Sequence, residues 1–315
     1  MSSRVCFFAH YDKTNIISEY VVYYIRSLKD VCEKIIFVST SNNLAKSEQE
    51  KLIPYVDHCI VKKNEGYDFG SWKSGMEYVG FDNILMYDQV IIANDSCFGP
   101  IYSLGVIFDK MSNKQCDAWS MTENYINARH MQSYFIVMSG HLFREDWFKK
   151  FWSGVTVQHM KIDYITKYEV GLSKLLTAHN KRFLSHYMAN FFEAIMFTMI
   201  TFFYSIHTSV IKLRSGKTSV NRIKSEIQFE RHNKIIGTLY FVIAILKRFV
   251  YPNIIFLCPT YLVKRGIPLL KTATFKENPC RLNLNKLLPK LKKFIQDKTN
   301  YPFSLIDDYI KEQRN

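Results

Sequence analysis

HCIVKKNEGYDFGSWKSGMEYV, residues His58 to Val79, is the stretch from which the fold is read. HCIVKK (His58–Lys63) is a short apolar strand, NEGYDFG (Asn64–Gly70) a glycine-bounded acidic loop, and Ser71–Val79 carries a helical pattern. Strand, loop and helix in immediate succession are one step of an alternating β/α chain. In the loop, Gly66 and Gly70 let the backbone approach a ligand or take positive φ. Asp68 offers an acceptor and Asn64 both donor and acceptor, while Tyr67, Phe69 and Trp72 offer flat apolar faces of the kind that line sugar and base pockets. Ser71 is the expected N-cap, so the positive end of the helix would face the loop, with Lys73 adding a mobile charge; such an end accepts phosphate. The plainer reading of the same residues is a tight turn.

The alternation extends on both sides. VCFFA (Val5–Ala9), KIIFVST (Lys34–Thr40) and QVIIAND (Gln89–Asp95) read as buried strands, with an amphipathic helix after Thr14 and a short polar helix at Ala45–Ile53 between the first three. Strands separated by helices predict an α/β class, with a mostly parallel sheet flanked by helices on both faces. Ligands of such sheets bind beyond the carboxyl ends of the strands. Two loops fall there, Asn64–Gly70 and NDSCFGP (Asn94–Pro100). In the second, Asn94, Asp95 and Ser96 leave a buried strand. Asp95 suits either a ribose hydroxyl or a Mg²⁺ or Mn²⁺ ion bridging a diphosphate; an Asx-turn is the alternative. His10 closes the first strand, where it either meets a nucleotide base or is a satisfied core histidine. Further on, QSYFIVMSG (Gln132–Gly140) reads as a strand, an aromatic helix surrounds Trp147 and Trp152, and Ile165–Leu176 reads as a helix carrying Glu169.

Charge divides the chain. Residues 1–180 hold 19 Lys and Arg against 20 Asp and Glu, whereas residues 181–315 hold 23 against 8, which carries all of the net +14. The sequence therefore divides into an α/β domain over 1–183, which holds both strand-end loops, and a helical, basic C-terminal region over 184–315, packed on it and membrane-associating. MANFFEAIMFTMITFFYSI (Met188–Ile206) and IIGTLYFVIAIL (Ile235–Leu246) are apolar and lie beside basic clusters. That combination suits a monotopic helix on an anionic membrane surface; two buried helices of a C-terminal subdomain are the alternative. Seven scattered cysteines without CxxC or Cys/His spacing argue against a structural zinc site. The opening MSSRVCFFAHYD has no signal-peptide apolar core, so a reducing cytoplasm is the expected compartment.

NEGYDFGSWKSG, IIANDSCFGPI, HMQSYFIVMS and YEVGLSKLL (Tyr168–Leu176), followed by LVKRGIPLLK (Leu262–Lys271) and YPFSLIDDYI (Tyr301–Ile310), resemble in this order the rhamnan synthesis protein F family of polysaccharide glycosyltransferases. Met188–Tyr251 is a departure without a clear counterpart. The resemblance implies a GT-A-like, Rossmann-related fold. It implies transfer of a deoxyhexose, typically L-rhamnose from dTDP-L-rhamnose, to a polyprenyl-diphosphate-linked glycan at the cytoplasmic face of the bacterial inner membrane. Glu169 of YEVGLS matches the family's YE-G-S pattern and is the candidate general base, with an exposed helix glutamate as the alternative. Donor recognition falls to Asn64, Asp68 and their loop, with Asp95 as the ribose or metal carboxylate and Lys73 or Lys271 facing the diphosphate. Gln132, Ser133 and Tyr134 either line the acceptor side or are ordinary strand packing. Two other classes compete. A basic nucleic-acid-binding protein is suggested by charge alone, but the charges are interleaved with apolar stretches and no reading motif is present, so no nucleic-acid partner is expected. A catalytically silent scaffold of a polysaccharide assembly complex is the third.

Overall fold

β1 (Arg4–His10), β2 (Lys34–Ser39), β3 (His58–Val61) and β4 (Gln89–Asn94) are the four strands read from the apolar runs, and β1, β2 and β4 are almost wholly buried. The computed structural model describes residues 2–124, 128–197, 199–200 and 253–312. A seven-stranded sheet runs in the order β10-β6-β9-β4-β1-β2-β3, with β6 at Ala118–Ser120, β9 at Phe135–Ser139 and β10 at Phe183–Ser185. β1 pairs in parallel with β2 on one side and with β4 on the other, while β9 runs antiparallel between β4 and β6. The sheet is thus α/β and mostly parallel, as the sequence predicts. β5 (Cys97–Phe98) lies apart and pairs antiparallel with β11 (Leu270–Lys271); β7 (Glu123–Asn124) and β8 (His130–Met131) are further two-residue strands.

The chain moves from β1 outward to β2 and β3, then returns to place β4 on the opposite side of β1. The strand order therefore reverses between β1 and β4, and the crevice beyond their carboxyl ends is where an open α/β sheet binds its ligand. The register sets Ala9 beside Asn94 and His10 beside Ser39, so the ends of three strands lie level.

Helices cover the faces: α1 (Glu19–Lys29), α2 (Lys46–Glu50), α3 (Tyr67–Val79), α4 (Phe81–Ile84), α5 (Leu104–Ser112), α6 (Asp146–Ser153), α7 (Lys161–Tyr164) and α8 (Val170–Ala178). α1 is amphipathic and buries Tyr20, Val21, Tyr24, Ile25 and Leu28, the i, i+4 stripe visible in the sequence. It begins after Ser18, whereas Thr14, the expected cap, hydrogen-bonds to Asp12 in the preceding loop. On the face that carries α3, Val5, Phe7, Ile36, Trp72, Met76, Phe148 and Trp152 share one continuous core.

Two compact units are present. The first comprises residues 1–123, 130–187 and 255–315; the second comprises 124–129 and 188–254. Division at 183/184 is not what forms, because residues 255–315 return to the first unit. There β11 pairs with β5, and the Tyr309 ring meets those of Tyr20 and Phe98. Within residues 255–312, helices lie at Pro259–Lys264, Leu284–Lys298 and Ser304–Glu312. In the second unit, Met188–Ile206 is described through residue 200 except Thr198, and Phe191, Phe192, Ile195 and Met199 are exposed there. Ile235–Leu246 and the basic cluster before it lie outside the described residues. No helix among the described residues is long and apolar enough to cross a membrane.

Candidate active site

The loop after β3 is shorter than the sequence predicts. α3 starts at Tyr67, not Ser71, with Gly66 at the N-cap position and φ of 93°. A left-handed backbone at the helix entry is what glycine permits. A Cβ on Gly70 would sit 2.3 Å from the Glu65 carbonyl oxygen, so only glycine lets the first turn close against the loop. Asp68 falls in the first turn, where a carboxylate complements the helix dipole.

This early start turns several expected ligand contacts into structural residues. Ser71, assigned as the cap, is buried one turn inside the helix and donates its hydroxyl back to the Tyr67 carbonyl. Trp72, assigned to the pocket, is 0% exposed and donates Nε1–H to the Ala93 carbonyl of β4 over 2.9 Å. Lys73, assigned to the diphosphate, donates to the carbonyls of Ser153 and Val155 at 2.7 and 3.0 Å and pairs with Glu77. With the helix starting at Tyr67, these residues lie about one turn further along its axis than Asp68, and so away from the mouth. Asn64 and Tyr67 remain exposed, and the Tyr67 ring meets Tyr164 edge-on.

At the end of β4 a polar cluster forms. Asn94, buried, donates Nδ2–H to Asp68 Oδ2 at 2.8 Å and accepts at Oδ1 from the Ser96 backbone N–H and hydroxyl. The Asp95 side chain is 19% exposed and accepts at Oδ2 from the Tyr11 N–H at 2.8 Å. The Tyr20 hydroxyl donates to the Asp95 carbonyl. Burial pushes the Asp95 carboxyl up to about 8, with the Tyr11 N–H opposing and the Asp68 charge adding. Asp68 is also raised by burial, against its Asn94 bond and Lys271, and the Glu169 charge raises it further. His10 is buried, 3.0 Å at Nδ1 from the Ser39 hydroxyl and 3.9 Å at Nε2 from Asp95 Oδ2. Burial lowers its pKa to about 4, so the ring is neutral at pH 7. Of the two alternatives left open for His10, this is the satisfied core histidine.

Lys271 reaches the cluster from 175 residues away in sequence. Its ammonium donates to the Ser96 hydroxyl at 2.8 Å and lies 4.5 Å from the centroid of the Tyr134 ring. Tyr134 itself is 2% exposed, with its hydroxyl 2.7 Å from that of Thr122. Thr122 also donates to Gln132 Oε1. Gln132 and Tyr134, assigned to the acceptor side, are thus buried supports of the segment entering β9, and Ser133 between them is partly exposed.

Ser133 is engaged by Glu169. A π-helical turn at Ile165–Glu169 precedes α8 and delivers this side chain, 17% exposed, to the same mouth; such turns recur at functional sites. Glu169 Oε2 accepts from the Ser133 N–H at 3.2 Å and from its hydroxyl, and Oε1 lies 3.3 Å from Nε2 of buried His130. Burial alone would raise the Glu169 pKa, but the hydrogen bonds from His130 and Ser133 outweigh it and hold the carboxyl below its ordinary value.

A divalent cation fits this donor set poorly. Among the described residues no three His, Cys, Asp or Glu side chains converge as metal ligands. Asn94 Oδ1 is committed to Ser96, and an ammonium already occupies the Ser96 hydroxyl. Three participants had no signal in the sequence reading. Thr122 and Tyr20 sit in ordinary contexts, while His130 is visible only as the residue two before the Gln132–Ser133–Tyr134 group.

The fold and this cluster define an α/β protein with a cluster of polar side chains at the topological switch point of its sheet. Residues 35–248 match the model of the family described as rhamnan synthesis protein F, and the chain belongs to that family. It is similar to the virulence protein VirA of Vibrio anguillarum, 23% identical over 224 residues that make up 71% of this chain and 64% of VirA. It is also similar to the uncharacterized protein y4gN of Sinorhizobium fredii, 22% identical over 143 residues, 44% of this chain and 37% of y4gN. The chain thus spans less than two thirds of either relative. Among solved structures, residues 1–349 of Staphylococcus aureus TarS align at a TM-score of 0.31 and 12% identity, over 46% of this chain and 48% of that one.

Proposed function

We propose that this protein is a polysaccharide glycosyltransferase with a GT-A-like sheet, taking a nucleoside-diphosphate deoxyhexose, dTDP-L-rhamnose in the first instance, and passing the sugar to a lipid-linked glycan at the cytoplasmic membrane face. One observation carries the reading. A carboxylate held ionised, Glu169, is brought by a separate element to the crevice that gathers Asp68, Asn94, Asp95, Ser96 and Lys271. Membership of the family supports it.

In the reaction the acceptor hydroxyl attacks C1 of the sugar and its proton passes to Glu169, because a neutral alcohol is a poor nucleophile. The C1–O bond to the diphosphate breaks as the new glycosidic bond forms, and the electron pair leaves with the nucleoside diphosphate. His130 and Ser133 orient the Glu169 carboxylate. Asp95, at the carboxyl end of β4, is assigned to the donor's ribose. The exposed face of Tyr67 and the side chain of Asn64 border the sugar. The second unit, with Phe191 and Phe192 exposed, is assigned to the anionic membrane surface.

Incubation with a panel of nucleotide sugars and a polyprenyl-diphosphate acceptor, followed by mass spectrometry of the lipid, tests the reading. The expected result is a mass increment of one deoxyhexose from the dTDP donor. Nucleotide binding without transfer to any acceptor would favour a scaffold, and absence of both binding and transfer would sink the proposal.

A further inference from the structure

Of the two lysines expected to face the diphosphate, Lys271 is the one that reaches the crevice, and its environment there is specific. β11 pairs with β5 so that Lys271 lies opposite Cys97, directly after the loop residues Asp95 and Ser96. Main-chain pairing therefore fixes where the side chain starts. The Ser96 hydroxyl takes one of the ammonium's three donors and the Tyr134 face lies under it. The Tyr134 ring is held in turn by Thr122. No carboxylate lies within ion-pair distance of this ammonium among the described residues, although Asp68 and Asp95 both feel its charge. A lysine tethered at both ends and left without an ion-pair partner is set to receive an anion.

Each carboxylate already gives one oxygen to a protein donor: Asp68 Oδ2 accepts from Asn94 and Asp95 Oδ2 from the Tyr11 N–H. A dication placed between them would also stand against the Lys271 ammonium, which repels it. We propose that the ammonium of Lys271, in place of a divalent cation, neutralises the diphosphate of the bound nucleotide, so that nucleoside diphosphates bind to this crevice without metal. The proposal rests on the nucleotide-sugar reading and goes beyond it by assigning the counter-charge. An ammonium does for the leaving diphosphate what a metal does elsewhere, stabilising charge as it develops, and Lys serves phosphate as a point charge.

Calorimetric titration of the whole chain with dTDP and with UDP, in EDTA and in Mn²⁺, tests it. The expected result is binding in EDTA that Mn²⁺ changes by no more than about twofold. Lys271→Met should weaken it by about tenfold or more, and Lys271→Arg, which keeps the charge, should weaken it less. Thermal unfolding of each variant checks that the β5–β11 pairing, which uses main-chain groups, survives the substitution. Binding that appears only with Mn²⁺, or Lys271→Met binding as wild type does, would overturn the metal-free assignment while leaving the nucleotide reading intact. Absence of binding in either buffer would remove both. Should Lys271→Met fail to fold, the comparison of EDTA with Mn²⁺ on the wild-type chain still decides.

Discussion

Trp72→Phe separates a core role from a ligand role at the residue most tempting to place in the pocket. The indole is 0% exposed, stacks edge-on with Phe69 at 5.0 Å, and donates Nε1–H to the Ala93 carbonyl at 2.9 Å. Loss of that bond costs about 1 kcal/mol. A phenyl ring leaves a void of roughly 40 Å³, and at about 24 cal/mol per Å³ the cavity adds about 1 kcal/mol, with the lost transfer energy of the missing atoms on top. The expected destabilisation is about 2–3 kcal/mol, a fall of roughly 5 °C or more in the unfolding midpoint for a domain of this size. Circular dichroism melting of wild type and variant reads the first quantity, and calorimetric titration with the nucleotide that the protein binds reads the second. Because the indole hydrogen-bonds to β4 one residue before Asn94, nucleotide affinity should change by no more than about threefold, through a slight displacement of that strand end. An unchanged melting curve together with tenfold weaker nucleotide binding would refute the buried assignment.

Two further outcomes follow from the site. Glu169→Gln keeps an acceptor for the Ser133 hydroxyl but removes the base, so sugar transfer should fall by about 10² to 10⁴ while donor affinity is retained; wild-type turnover would remove Glu169 from the reaction. His10 carries a folded-state pKa of about 4 against an ordinary 6.5, so its neutral ring favours the fold above pH 6.5 and that contribution is lost as pH falls toward 4. The loss amounts to at most about 3 kcal/mol. Asp12, Asp95 and Glu48 face the ring, and the raised Asp95 carboxyl acts with the opposite sign, adding stability as pH falls below 8. The measurable quantity is therefore the stability difference between wild type and His10→Asn, which should move against wild type between pH 7 and 4.5; a pH-independent difference would contradict the burial argument.

Much of this architecture is legible in local chemistry. VCFFA, KIIFVS and QVIIAN are apolar runs too short for helices, and α1 shows its buried stripe at i, i+4 spacing, so the alternation of strands and helices needs no tertiary information. The same runs place Asn94–Ser96 and Asn64–Gly70 at strand ends. Ser71, Trp72 and Lys73 were misplaced because Gly66 and Gly70 allow the helix to begin one turn earlier than the serine suggests. A glycine entry leaves no capping residue to read.

What the sequence determined by itself is the α/β class, the polar loops that end its strands, and the presence of Glu169 in a helical segment. Those properties depend on residues a few positions apart, where hydrophobic period and backbone preference act directly. Only the tertiary structure decided that β4 returns to the far side of β1, so that the strand order reverses there, and that β9 runs antiparallel. Only it set Lys271 on Ser96 and Tyr134, and His130 and Ser133 on Glu169. These juxtapositions join residues far apart in the chain through strand order and register, for which no local stretch carries a signal.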